Sequence, residues 1–118
     1  MREPIRDRGR IEHMLGAIDD ACGFMQDVDI DGLRNNKMLS YAVFHSIQII
    51  GEAAYMVTKE LKTGHPEVEW RLIEGMRHVL VHDYHSVKVL EVWNIVKNDL
   101  PILRKQIEGI LSELNKQE

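Results

Sequence analysis

Three features of the sequence predict an all-α fold, an antiparallel bundle of four to five helices. Apolar residues recur at three- and four-residue steps through almost the whole chain, the period of a helix with one buried stripe. The connections are short and rich in turn formers. No stretch alternates apolar and polar residues long enough to make a strand.

Ile11, Met14, Leu15, Ile18, Cys22 and Met25 mark the stripe of a first helix over roughly residues 6 to 27. Asp29, Asp31, Gly32 and Asn35 make 28–36 a connection. A second helix is expected from about Asn36 to Lys62, with Met38, Leu39, Ala42, Val43, Ile47, Ile50, Ala54, Val57 and Leu61 on its main face. Ile49 and Ala53 widen that face, as in a helix central to a bundle or half-covered by a second subunit. Gly64 and Pro66 end it. A third helix starts near Glu69 or Trp70 and carries Ile73, Met76 and Leu80. Beyond Tyr84 the pattern resumes with Val89, Val92, Trp93, Val96 and Leu100, with Ser86 suited to cap it. Asp99-Leu-Pro101 marks a kink or a fresh start, because proline fits a first helical turn and disrupts an interior. Leu103, Ile107, Ile110, Leu111 and Leu114 complete the last stripe. Trp70 and Trp93 read as core or interface aromatics.

The 118 residues suffice for one domain, 1–118, around one core. With 44% apolar and 29% charged residues the balance is that of an ordinary soluble protein, expected in the cytoplasm. The N-terminus has no apolar signal-peptide core. The most apolar stretch, Tyr41 to Val57, is broken by His45, Gln48 and Glu52 and is not a membrane span. The single cysteine, Cys22, sits among apolar positions as a buried, inert thiol. A net charge of -4 argues against broad, charge-driven binding of nucleic acid, so any RNA contact must be local, in a cleft with a few cationic groups.

The segment Gly75-Met-Arg-His-Val-Leu-Val-His-Asp-Tyr-His85 holds the residues with chemistry. Arg77 and His82 stand five steps apart, a net rotation of about 140° on a regular helix, so they share no face there. They converge if the helix ends or distorts near His82, or if a two-fold axis brings the segment of a second chain alongside; a homodimer is the simplest arrangement. An arginine and a histidine suit metal-free phosphodiester cleavage: the imidazole takes the proton of a ribose 2′-hydroxyl, and the guanidinium grips the phosphate with two N–H groups. Taken alone, this spacing also fits a surface arginine beside a packed histidine. His78, His82 and His85 lie four and three apart, and such a face could offer zinc three imidazoles, although no cysteine is near. Glu52, in Ile49-Ile-Gly-Glu-Ala-Ala54, is either a solvent-facing glutamate or a buried carboxylate that needs a partner, for which Arg77 is the candidate. His13, His45 and His65 show no partner in the sequence and carry no assigned role.

Taken in order, Ile49-Ile-Gly-Glu-Ala-Ala54, His65-Pro-Glu, Trp70, Ile73-Glu-Gly-Met-Arg77, Val79-Leu-Val-His82, Tyr84, Val92-Trp93, Asp99-Leu-Pro101 and Leu103 resemble the HepT-like family of HEPN-domain toxins. The likeness covers roughly the whole chain. It implies a dimerising helical bundle whose motif is Arg, a polar residue, three more residues, then His; Arg77, His78 and His82 fill it. It also implies a metal-independent endoribonuclease with Arg77 and His82 as the active residues and no cofactor. The implied partner is a nucleotidyltransferase antitoxin that attaches AMP to Tyr84, adding bulk and phosphate charge beside the cleft. This chain departs from the family's usual residues at His78, where Asn is common, at Asp83, where Gly is frequent, and at His85-Ser-Val-Lys, where Phe-Gly-Val-Asp is usual. A carboxylate at 83 disfavours a phosphate nearby unless it points away or pairs with a cation. It leaves a second reading, a non-catalytic dimeric module that binds the nucleotidyltransferase, and the zinc-binding face remains a third.

Overall fold

The computed structural model describes residues 4–78 and 88–117, and the described elements are helical. In order they are α1 (Pro4–Phe24), α2 (Ile30–Asn35), α3 (Lys37–Met56), α4 (Lys59–Gly64), α5 (Trp70–Gly75), a 3₁₀ turn (Met76–His78), α6 (Lys88–Asn94), a π turn (Ile95–Asp99) and α7 (Leu100–Lys116).

The frame is made by the long helices. α1 packs along α3 on one side and α7 on the other, and in both pairs the chains run antiparallel. Arg10 reaches the Met56 carbonyl at the end of α3, while Lys97 reaches the Met25 carbonyl and Arg104 pairs with Asp19. Between these helices Ile11, Met14 and Ile18 meet Val43, Ile47, Ile50, Ile107 and Ile110 in one buried cluster. The stripes read from the sequence thus face one core. Trp70 is buried in it, and Trp93 packs against it with the Lys97 ammonium 5.0 Å from its ring centroid.

The expected helix from Asn36 to Lys62 is two helices. α3 starts where expected, with the Asn36 side chain accepting from the Leu39 amide, but it stops at Met56. Val57 is extended, and Thr58 starts α4 by accepting from the Leu61 amide. The cause lies far off in sequence: the buried Asp7 carboxylate on α1 accepts from the Thr58 amide at 2.9 Å and from its hydroxyl. These charge-assisted bonds hold Thr58 in a capping geometry instead of a helical one. The connection 28–36 likewise contains a short helix, α2, capped by Asp29, whose carboxylate accepts from the Gly32 amide. α1 ends at Phe24, three residues earlier than expected, and the turn beyond it leaves Asp27 in the left-handed region at φ 61°.

The sequence signal at Asp99-Leu-Pro101 corresponds to the π turn, where α6 widens by a residue before α7 restarts with proline in its first turn. Among the described residues no helix is long and apolar enough to cross a membrane.

Candidate active site

α5 begins with buried Trp70, whose indole donates to the His65 carbonyl, and buries Ile73 against α3. At Met76 the chain tightens into the 3₁₀ turn, with the Met76 amide directed to the Ile73 and Glu74 carbonyls. The buried Met76 side chain anchors this turn, and Arg77 and His78 follow on its outer side. A distortion therefore falls at Met76, immediately before Arg77, and the break expected near His82 lies outside the described residues.

The turn can sit there because α3 has no side chain at Gly51. A Cβ on Gly51 would stand 3.0 Å from the Arg77 Cα and from the Met76 carbonyl carbon, and closer still to the Arg77 amide nitrogen. This glycine is an access point for backbone, not a flexible joint. It fixes the distance of the Arg77 main chain from α3.

The half-buried Arg77 side chain is held on two sides. Its guanidinium carbon lies 3.6 Å from the centroid of the Tyr55 ring, one turn beyond Gly51 on α3. Its Nε donates to Nε2 of His78 at 3.1 Å, which requires that this imidazole nitrogen be unprotonated. The contact occupies one donor of the fork. The two terminal amino groups donate to no protein atom among the described residues, and the guanidinium borders an open cleft. That is the edge with which arginine grips a phosphate in two-pronged fashion.

The cleft, of about 510 Å³, runs along the seam between α1 and α3. α1 contributes Arg10 and His13; α3 contributes His45, Gln48, Ile49, Glu52, Ala53 and Met56; the 3₁₀ turn contributes Arg77. Glu52 is exposed on this wall. No ion pair joins it to Arg77, which is engaged by Tyr55 and His78 instead. Among the described residues no group of three or more His, Cys, Asp or Glu side chains is arranged to hold a metal ion. Of the expected His78, His82 and His85 face, only His78, at the end of the 3₁₀ turn, lies within the described residues. His82, Asp83, Tyr84 and His85 lie outside the described residues, so the Arg77–His82 pairing expected from the motif has one placed member. Cys22 is half-buried on α1, outside this cleft; burial, then the nearby Asp19, pushes its thiol up from the ordinary value.

Several residues of this site carried no local signal in the sequence. Tyr55, Arg10, His13 and His45 belong to it only through packing of α1 against α3. Gly51 was the exception in principle, since an isolated glycine inside a strongly apolar helix marks a close approach.

Residues 14–110 match the family described as ribonuclease HepT-like. The chain belongs to the HepT-like ribonuclease family. It is 35% identical over 95 residues to "Putative RNase MJ1380" of Methanocaldococcus jannaschii, covering 80% of this chain and 87% of that protein. It is 33% identical over 112 residues to "Putative RNase MJ0125" of the same organism, covering 94% and 97%. It is also 33% identical over 100 residues to "Probable ribonuclease HepT" of Thermococcus cleftensis, covering 85% and 91%. No solved structure matches the chain. The all-α fold and the resemblance to HepT-like proteins are both borne out, and with them the ribonuclease class.

Proposed function

We propose that this HepT-like protein is a metal-independent endoribonuclease toxin of a toxin–antitoxin pair. It acts in the cytoplasm as a homodimer and is silenced when a nucleotidyltransferase antitoxin adenylylates Tyr84. The observation that carries the reading is the Arg77 guanidinium, braced by Tyr55 and His78 with its outer edge bordering an open cleft.

In this mechanism Arg77 binds the scissile phosphate and offsets the charge that grows on its oxygens. His82 removes the proton from the adjacent 2′-hydroxyl, the 2′-oxygen attacks phosphorus, and the bond from phosphorus to the 5′-oxygen breaks. The partner subunit's His82 gives a proton to that departing oxygen. The products are a 2′,3′-cyclic phosphate and a 5′-hydroxyl, and no step needs a metal. His78, accepting from Arg77 Nε, orients the guanidinium and takes no part in proton transfer.

The dimer is supported by exposed apolar side chains on α3. Met38 is 80% exposed, Tyr41 46%, Tyr55 40% and Met56 37%, along one side of a helix whose opposite side is core. They form two pairs near the ends of α3, flanking the polar His45, Gln48 and Glu52 on the same face, an arrangement suited to a contact between copies around the cleft. A two-fold contact there would set two copies of the cleft beside each other.

Expression of the chain without its antitoxin is expected to arrest growth, and Arg77→Ala and His82→Ala are each expected to abolish the arrest. Parental toxicity in both variants overturns the catalytic assignment. Incubation with the nucleotidyltransferase and ATP is expected to add the mass of one AMP to the parent and none to Tyr84→Phe. The acidic net charge of -4 favours a second reading, a non-catalytic dimer that only binds the nucleotidyltransferase. A stable complex formed by a protein that leaves cellular RNA uncut would select it.

A further inference from the structure

The cleft is longer than a site for one phosphate requires. From His45 to Met56, α3 contributes eleven steps to its wall, about 16 Å of helix. Arg10 and His13 stand three apart on one face of α1, and His45, Gln48 and Glu52 stand three and four apart on one face of α3. The two faces flank the same seam, and Arg77 borders it. Arg10 donates from Nη1 to the Met56 carbonyl at 2.8 Å, which holds its positive group on the cleft wall.

The composition of this wall runs against that of the chain. The protein carries 19 acidic and 15 basic residues, yet the cleft gathers two arginines, two histidines and a glutamine against one carboxylate, Glu52. His13 and His45 are exposed. Neither makes a hydrogen bond or ion pair with another described residue, unlike His65, which pairs with Glu67 and Glu113. An imidazole can present an N–H to an acceptor in either protonation state. Donors of this kind, spaced along a groove beside an arginine, match the repeating oxygen acceptors of a polynucleotide backbone.

We propose that His13 and His45, with Gln48 and Arg10, form a track that binds the phosphodiester backbone of the RNA on the nucleotides flanking the scissile one. The track rests on the ribonuclease reading of Arg77. At about 16 Å along α3 it spans several nucleotides, and its donors hold backbone and leave base identity unread. It also explains how an acidic protein engages RNA, since the contacts are confined to one cleft.

The test compares a fluorescein-labelled 12-nucleotide single strand with a dinucleotide, using the full chain, His13→Ala, His45→Ala and the double variant. Both side chains are exposed on the single chain, but His45 shares the α3 face of the proposed dimer, so each variant is compared with the parent by melting and by light scattering, and only variants with the parental assembly are scored. The double variant is expected to lose about tenfold in kcat/KM on the 12-mer, through KM, the scale of two lost hydrogen bonds. Cleavage of the dinucleotide, which spans only the Arg77 site, is expected to fall several-fold less than cleavage of the 12-mer. A parental KM on the 12-mer overturns the track, as does an equal loss on both substrates. If the parent cuts neither RNA, the ribonuclease reading fails separately. Fluorescence anisotropy then decides the track: tenfold weaker binding of the 12-mer by the double variant supports it, and parental affinity rejects it.

Discussion

Replacing Gly51 by alanine sets two opposed effects against each other, and the structure says which is larger. In a helix interior alanine is favoured over glycine by about 1 kcal/mol, because it loses less backbone freedom on folding. Gly109 in α7 shows that effect alone: it is exposed, and a Cβ there meets nothing within 4 Å. At Gly51 the new methyl would stand 3.0 Å from the Arg77 Cα and closer to its amide nitrogen. Those atoms are main chain and cannot rotate away, so the 3₁₀ turn must move off α3, carrying buried Met76 and Ile73 with it. Overpacking of this kind costs about 1–3 kcal/mol. Net of the propensity gain, Gly51→Ala is expected to destabilise by about 1 kcal/mol and Gly109→Ala to stabilise by a similar amount. Thermal and urea melts followed by circular dichroism, at one fixed protein concentration, would separate the two by several degrees. Because the displaced turn carries Arg77, Gly51→Ala should also lower RNA cleavage more than its stability loss explains. A Gly51→Ala protein as stable as Gly109→Ala would refute the close approach of α3 to the turn.

Three further outcomes follow from individual contacts. Asp7→Ala removes the acceptor of the Thr58 amide and hydroxyl and leaves both donors buried and unpaired, so a loss of about 2–3 kcal/mol is expected in the same melts; a change below 0.5 kcal/mol would contradict the proposed cause of the α3–α4 break. Tyr55→Phe keeps the ring under Arg77 and should keep cleavage near parental, whereas Tyr55→Leu should lower kcat about tenfold with little change in KM; equal activity in both would remove Tyr55 as a positioning residue. The thiolate is the reactive form of Cys22, and burial with Asp19 holds its proton above the usual range. Iodoacetamide should therefore modify Cys22 in the folded protein more slowly than a free cysteine at pH 8.5, with the rate rising at higher pH, and an equal rate would contradict that environment.

Periodicity makes the long helices visible because each keeps one stripe in the core for many turns; Ile11 to Met25 and Leu103 to Ile110 fall where the three- and four-residue steps put them. It does not reveal the break at Val57. Leu61 continues the apolar pattern and packs against the core, and the break is imposed by a carboxylate 51 residues away. α2 was equally hard to see, since Asp29 and Gly32 serve a turn as well as a short helix. At the site, Arg77 and His78 stand out through their motif. Tyr55, His13 and His45 acquire their place only when α1 and α3 are laid side by side, and nothing in their own neighbourhoods predicts it.

The central claim is that the Arg77 guanidinium at the mouth of this cleft activates a phosphodiester of RNA. Its most direct test is the cleavage rate of an end-labelled single-stranded RNA in EDTA by the parent and by Arg77→Ala, with melting curves recorded alongside. The account predicts cutting by the parent in the chelator, a 2′,3′-cyclic phosphate on the product, and a rate at least a hundredfold lower for an Arg77→Ala protein that melts like the parent. An Arg77→Ala protein that cuts at the parental rate would contradict it.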